Sequence, residues 1–224
     1  MLKENLEKIF NDVKSGNNLG EQITVVGATK TVSVDVINHA IDLGLRVVAE
    51  NRVQEFNSKH GQIIGAEEHF IGRLQTNKVK YLVGKVELIH SVDSIRLAEE
   101  INRQAEKKGV VQDILIEINV SGESTKGGFS VLETENAVKF ITDSFKSICV
   151  KGLMTMLPHT DDKEQLSKLS KTMRELYDSL KSQGLPFQYL SMGMSNDYLT
   201  AIQNGSNMIR LGNSIFGERN YGEK

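Results

Sequence analysis

Thr24-Val25-Val26-Gly27-Ala28-Thr29-Lys30-Thr31 is a short apolar run that ends on a lysine. Its residues 24–29 suit a strand buried on both faces of a parallel sheet, where alternation of apolar and polar positions is not required. The G-x-G-x-x-G turn of an open dinucleotide-binding sheet does not follow Val25-Val26. Working outward, seven comparable runs lie at Leu45–Ala49, Glu68–Ile71, Glu87–Ser91, Asp113–Val120, Cys149–Met154, Phe187–Met192 and Met208–Gly212. Helical patterns fill the gaps. Ser33 stands as an N-cap before the stripe Val34, Ile37 and Ile41, which Gly44 ends. A second stripe runs from Ser94 through Leu97, Ala98, Ile101 and Ala105 to Gly109, and a third holds Leu166, Leu169, Met173, Leu176 and Leu180 before Gly184 and Pro186.

Eight strand candidates in 224 residues leave about 28 residues for each strand–helix unit. That spacing predicts an α/β fold, a (β/α)8 TIM barrel, whose usual length is about 250 residues. Leu6, Ile9, Phe10 and Val13 predict an extra N-terminal helix before the first strand. An open doubly wound sheet is the alternative, and it needs fewer strands. The expectation is a single domain over residues 1–224.

Composition narrows the function classes. Lys and Arg number 27 against 29 Asp and Glu, a net charge of −2, so nucleic acid is not the expected partner. The lone Cys149 excludes an internal disulfide framework and a cysteine-clustered zinc site, and the five histidines show no metal-ligand spacing. The opening Met1-Leu2-Lys3-Glu4 is not a signal peptide and no run reaches the length of a membrane span, so a cytoplasmic location is expected.

Barrels carry their chemistry at the carboxyl ends of the strands. Lys30 sits at such an end. Burial there disfavours the ammonium and would make the amine a nucleophile for a Schiff base; a rim lysine reaching to solvent is the other reading. Asn51, after the second strand, either caps the next helix or points into the mouth. The polar loop Ser121–Gly128 either covers the mouth or is a long turn. Thr76 or Asn77 is expected to cap a helix with Lys78 and Lys80 on its solvated face. After the seventh and eighth strands come Met192-Gly193-Met194-Ser195-Asn196-Asp197 and Arg210-Leu211-Gly212-Asn213. Barrels often bind phosphate at these two loops, through backbone N–H groups and a small hydroxyl. A lysine facing a phosphate cradle points to a phosphorylated carbonyl compound. Position alone leaves two classes open: sugar-phosphate aldolases and proteins that bind pyridoxal 5′-phosphate (PLP).

Several stretches together carry a resemblance that spans nearly the whole chain. They are Ala28-Thr29-Lys30, Glu50-Asn51-Arg52-Val53-Gln54-Glu55, His69-Phe70-Ile71-Gly72-Arg73-Leu74-Gln75-Thr76-Asn77-Lys78, Ile89-His90-Ser91-Val92-Asp93, Gly152-Leu153-Met154-Thr155-Met156, Leu190–Asp197, and Arg210-Leu211-Gly212 with Ile215-Phe216-Gly217. The chain closely resembles the pyridoxal phosphate homeostasis protein family, single-barrel relatives of the alanine racemase amino-terminal domain. Glu68 where many members carry tryptophan, and the lack of a proline after Lys30, depart from the pattern without touching an expected cofactor contact.

The resemblance implies a fold-type III PLP protein in which Lys30 forms the Schiff base. It implies that Ser195, Gly212 and Asn213 hold the phosphate, that Arg210 faces the pyridine nitrogen, and that Asn51, Met192 and Met194 line the pocket. A cation at that nitrogen disfavours its protonation and weakens the ring as an electron sink. Racemases of this type also use a second domain that supplies a catalytic tyrosine. The length leaves no room for that domain, and Tyr81, Tyr177, Tyr189, Tyr198 and Tyr221 fall in no motif that assigns such a base. The expectation is therefore a non-catalytic, monomeric PLP carrier, without metal, that buffers the cofactor and serves apo PLP-dependent enzymes as acceptors. A slow amino-acid racemase and a Schiff-base aldolase are the rival readings.

Overall fold

Eight parallel strands close on themselves in sequence order, β1 pairing with both β2 and β8, in a computed structural model that describes residues 1–217. The strands are β1 (Thr24–Ala28), β2 (Val47–Glu50), β3 (Glu67–Phe70), β4 (Leu88–Val92), β5 (Gln112–Ile118), β6 (Ile148–Thr155), β7 (Tyr189–Ser191) and β8 (Met208–Leu211). Closure rules out the open sheet. It also removes sheet edges, so every strand has a hydrogen-bonded neighbour on both sides. Tyr221 lies outside the described residues.

Helices α1 (Leu2–Val13), α2 (Val34–Asp42), α3 (Val53–Lys59), α4 (Ile95–Lys108), α5 (Val131–Ser144), α6 (Lys163–Ser182), α7 (Tyr198–Gln203) and α8 (Asn213–Phe216) surround the sheet, with a 3-10 turn at Thr76–Tyr81 between β3 and β4. Their ends follow local chemistry. Ser94 Oγ accepts the Leu97 N–H at the start of α4, and Gly109 closes that helix at φ 66°. Ser130 and Glu133 form a reciprocal capping box on α5. Ser33 does occupy the N-cap of α2, though its side chain makes no capping bond. The 3-10 turn is entered from Gln75, not capped by Thr76 or Asn77. Helix α1 packs Leu6, Ile9 and Val13 against Ile37, Ile41 and Ile215, and Asn5 Nδ2 donates to the Ile215 carbonyl.

The largest part of the core lies between the outer face of the sheet and the helices. The lumen is filled differently. Val26, Val47, Ala49, Leu88, Leu115, Met154 and Met208 form an apolar plug. Buried His69, His90, Glu117, Ser191 and Arg210 accompany it. Polar groups in so dry a place must satisfy one another, which makes the lumen the most constrained region of the molecule.

Candidate functional site

A cavity of about 640 Å³ opens at the carboxyl ends of the strands. Such a volume falls in the range of small-molecule sites. Ala28, Asn51, Met194, Ser195, Arg210, Gly212 and Asn213 all line it. Met192 does not. Its side chain is fully buried in the wall core among the helices, because it and Met194 leave the turn in opposite directions about Gly193. Gly193 has φ 101°, and a Cβ there would stand 2.8 Å from the Ala201 Cβ, so this turn needs glycine.

Lys30 lies in the turn just past the end of β1, two residues beyond Ala28, which lines the cavity; Lys30 itself is not among the lining residues. It is half-buried. Its neighbours are pinned from behind the wall by groups on β2 and α3. The Lys59 ammonium donates to the Thr29 carbonyl at 2.9 Å and pairs with Glu50 Oε1 at 2.6 Å and Glu55 Oε2 at 3.3 Å. The Thr29 hydroxyl donates to Glu50 Oε1, and the Thr31 N–H donates to Glu55 Oε2 at 2.8 Å. Thr31 adopts φ 62°, a left-handed conformation that a β-branched residue takes at a cost of about 1–3 kcal/mol. Charges outside the barrel thus fix the turn that carries Lys30. Sequence reasoning missed Glu50, Glu55 and Lys59; the Glu55 to Lys59 spacing reads equally well as a solvated helix pair.

Asn51 is not a helix cap, since Arg52 takes that position. Its Oδ1 is buried and finds no partner in the protein among the described residues. Next to it, Gly72 lets β3 pass so close that any Cβ would collide with the Asn51 carbonyl oxygen. An orphaned amide oxygen in a cavity wall is what a ligand donor satisfies.

The adjoining part of the mouth is built from β7 and β8, β8 being paired with β1. The Ser195 hydroxyl accepts the Ser214 N–H at 3.2 Å, which draws the turn after β7 onto the start of α8 beside Gly212 and Asn213. Asp197 accepts the Met194 N–H and steadies the same turn. Burial raises the Asp197 carboxyl above its ordinary range, opposed by that N–H and by Arg210.

Arg210 lies on the cavity floor and is 5% exposed. Its Nη1 donates to the Ser191 carbonyl at 2.9 Å and to Ser191 Oγ at 2.7 Å, and its Nη2 donates to the Thr155 carbonyl at 2.8 Å. Burial pushes its pKa down to about 10, with Asp197 and Glu117 opposing, so it remains a cation at neutral pH. Glu117 on β5 is raised, by burial first and by Asp93 second. Glu117 was not singled out in the sequence, because an acid inside a strand gives no local signal of which way it faces.

The loop after β5 does lean over the mouth. The Asn119 N–H donates to the Phe129 carbonyl and the Phe129 N–H to the Glu117 carbonyl, both at 2.9 Å, so residues 119–129 fold back and place Thr125, Lys126 and Gly127 in the cavity wall. A second, more open groove adjoins the first and is lined by Arg52, Arg73, Lys78 and Arg96. Lys80 stands instead 5.1 Å from the Tyr81 ring, and Lys126 pairs with Glu123. Among the described residues no cluster of His, Cys, Asp and Glu could hold a metal ion, and no helix is long and apolar enough to cross a membrane.

With this geometry in hand, kinship becomes informative. The sequence profile of the alanine racemase N-terminal domain matches residues 3–220. The chain belongs to that family. Within it, a pyridoxal phosphate homeostasis protein of Aquifex aeolicus is 44% identical over 97% of this chain and 95% of its own length. Among solved structures, PipY of Synechococcus elongatus without PLP superposes with a TM-score of 0.87 at 26% identity, covering 97% of this chain and all of that one; the form with PLP bound superposes at 0.84. An alanine racemase of Clostridium difficile in complex with cycloserine shares the fold at TM-score 0.80 and 18% identity. There the match covers 98% of this chain and 60% of the racemase. The family membership and the closed barrel agree with the resemblance carried by the motifs.

Proposed function

We propose that this chain binds PLP in the 640 Å³ cavity and carries or buffers it within the cytoplasm, as one barrel domain acting as a monomer and without strong catalysis of its own. The observation that carries the reading is a convergence on one cavity. Ala28 at the end of β1, Ser195, Gly212 and Asn213 after β7 and the neighbouring β8, and the Arg210 cation all line it, with the turn that carries Lys30 just beyond Ala28.

The residues present fit the cofactor. Lys30 supplies an amine for a Schiff base with its aldehyde. Ser195 Oγ and the backbone of Gly212 and Asn213 hold its phosphate, where glycine permits close approach. The unpartnered Asn51 Oδ1 takes a donor from the ligand, and Met194 covers the exposed side. Arg210 keeps a positive charge at the ring nitrogen and so keeps a proton away from it. Bound PLP supplies an electrophilic aldehyde and an electron-withdrawing ring, and a ring left unprotonated withdraws electrons weakly. This supports storage and delivery over turnover. Apo PLP-dependent enzymes are the acceptors in this reading, and the open groove of Arg52, Arg73, Lys78 and Arg96 beside the cavity supports release on that side.

Borohydride reduction of the PLP-loaded protein followed by peptide mapping tests the assignment. A pyridoxyl adduct on Lys30 is expected, and it disappears in Lys30→Ala. An adduct found only at other lysines would overturn it. Stereoinversion of amino acids that vanishes in Lys30→Ala would overturn the non-catalytic part.

A further inference from the structure

Five polar side chains form an unbroken line through the lumen. Glu67 lies at the start of β3 with its carboxylate 60% exposed, and its Oε2 is 3.4 Å from His69 Nε2. His69 Nδ1 is 3.0 Å from His90 Nε2, His90 Nδ1 is 3.3 Å from Ser191 Oγ, and Ser191 Oγ is 2.7 Å from Arg210 Nη1. His69 is 2% exposed, and His90 and Ser191 are fully buried. The line therefore joins solvent at the amino end of the barrel to the cavity floor at the other end, along side chains of four different strands.

Elementary hydrogen-bond bookkeeping gives this line a direction. A guanidinium only donates, so Ser191 Oγ accepts from Arg210. The Ser191 proton is buried and needs an acceptor, and His90 Nδ1 is the acceptor within reach. His90 is held well below its ordinary pKa, first by burial and then by His69 and Arg210, so its ring is neutral and its one proton must sit on Nε2. That proton is donated to His69 Nδ1. The remaining His69 proton on Nε2 then faces the Glu67 carboxylate, whose pKa is lowered chiefly by this contact. Each bond satisfies the next, from an acid in water to a cation in the site. Reversing the line would leave the Ser191 proton without a partner.

The geometry points to a positioning relay: Ser191, His90 and His69 orient Arg210, and thereby the hydrogen bond Arg210 makes to an aromatic ring nitrogen in the cavity. Three of the five guanidinium N–H groups are used by Ser191 Oγ and the Ser191 and Thr155 carbonyls, which leaves two for the cavity. Ser191 Oγ is the side-chain acceptor in that set. Removing it, or removing the acceptor for its own proton, frees the guanidinium to rotate. The ligand half of this statement rests on PLP being the occupant.

Two measurements test it. On the unliganded wild-type protein, nitrogen NMR of labelled histidines should show His69 and His90 both as neutral Nε2–H tautomers. A proton on Nδ1 of either ring, or a doubly protonated His69 at neutral pH, would overturn the relay whatever ligand binds. On the loaded protein, His90→Leu keeps the bulk but removes the acceptor, whereas His90→Asn keeps an oxygen for the Ser191 hydroxyl. With PLP labelled at its ring nitrogen, His90→Leu and Ser191→Ala should displace the ring-nitrogen resonance and weaken affinity about tenfold, the size expected for one charge-assisted hydrogen bond. The Lys30 adduct should remain, and His90→Asn should restore the wild-type resonance at least in part. A ring-nitrogen signal unchanged in His90→Leu, or displaced equally in Leu and Asn, would overturn the relay. Wild-type protein that takes up no PLP would instead sink the cofactor reading, and the histidine tautomers would still decide the relay.

Discussion

The two cationic sides of the barrel mouth stand on paired strands, β1 and β8, yet they are anchored by opposite means. On the β1 side, charge does the anchoring from outside the wall: Lys59, Glu50 and Glu55 hold Thr29 and Thr31, one residue either side of Lys30. On the β8 side, neutral acceptors inside the lumen hold Arg210 directly. The difference teaches that one side of the mouth is fixed through the backbone of a turn and the other through a permanently charged side chain. On the β1 side the bonds are made to the residues flanking Lys30, which fixes the turn that carries it. An arginine is always charged, so direct bonds to carbonyl and hydroxyl oxygens cost it nothing in reactivity.

The comparison breaks most easily on its charged side. Lys59→Met leaves Glu50 buried without its cation, and a loss of about 3–5 kcal/mol is expected from urea unfolding. Pairing it with Glu50→Gln should recover most of that loss. A cost under about 1 kcal/mol for the single variant would mean the cluster behaves as an exposed pair and does not anchor the turn.

The phosphate side should respond in binding more than in folding. Ser195→Ala removes one hydrogen bond to a charged group, worth about 1.5–3 kcal/mol, so PLP affinity read by fluorescence titration should fall roughly 10- to 100-fold. Unchanged affinity would move the phosphate elsewhere in the cavity.

The smallest effect sharpens the neutral side. His90 has its folded pKa depressed below 6.5, so the unfolded chain takes up a proton that the folded one refuses. Stability is then complete above about pH 6.5 and declines as pH falls below it, by at most about 1.4 kcal/mol per pH unit from this group. His90→Asn should flatten that part of the curve in unfolding midpoints compared between pH 7.5 and pH 5.5, values chosen to straddle about 6.5. An identical slope in the variant would show that His90 is protonated in the folded protein.

All eight strands were legible, most of them as apolar runs, because a parallel strand buried on both faces announces itself without any partner; β3, Glu67-Glu68-His69-Phe70, is the polar exception. Their ends moved by a few residues where tertiary contacts intervene. The seventh, read as Phe187–Met192, contracts to Tyr189–Ser191 because Phe187 joins the helix-side core and Gly193 turns the chain out of the sheet. Asn51, Ser195, Arg210, Gly212 and Asn213, read from their places at strand ends, line the cavity, and Lys30 stands in the turn after β1. Met192 was misplaced, since the side a residue takes at a sharp turn depends on a backbone angle that composition does not encode.

What stayed hidden is polar and long-range. His90 and Ser191 are 101 positions apart, and nothing near either one indicates the other. Lys59 looks like any exposed helical lysine until α3 is laid against β2. The amino-acid order by itself determined the strand count, the barrel and the residues at its mouth, because burial pattern and spacing are local properties. Which polar groups meet in the lumen, and which charges brace Lys30 from behind, was decided only when the sheet closed. Closure brings distant strands within hydrogen-bond reach in a space without water, where each buried polar atom must take the partner that the fold supplies.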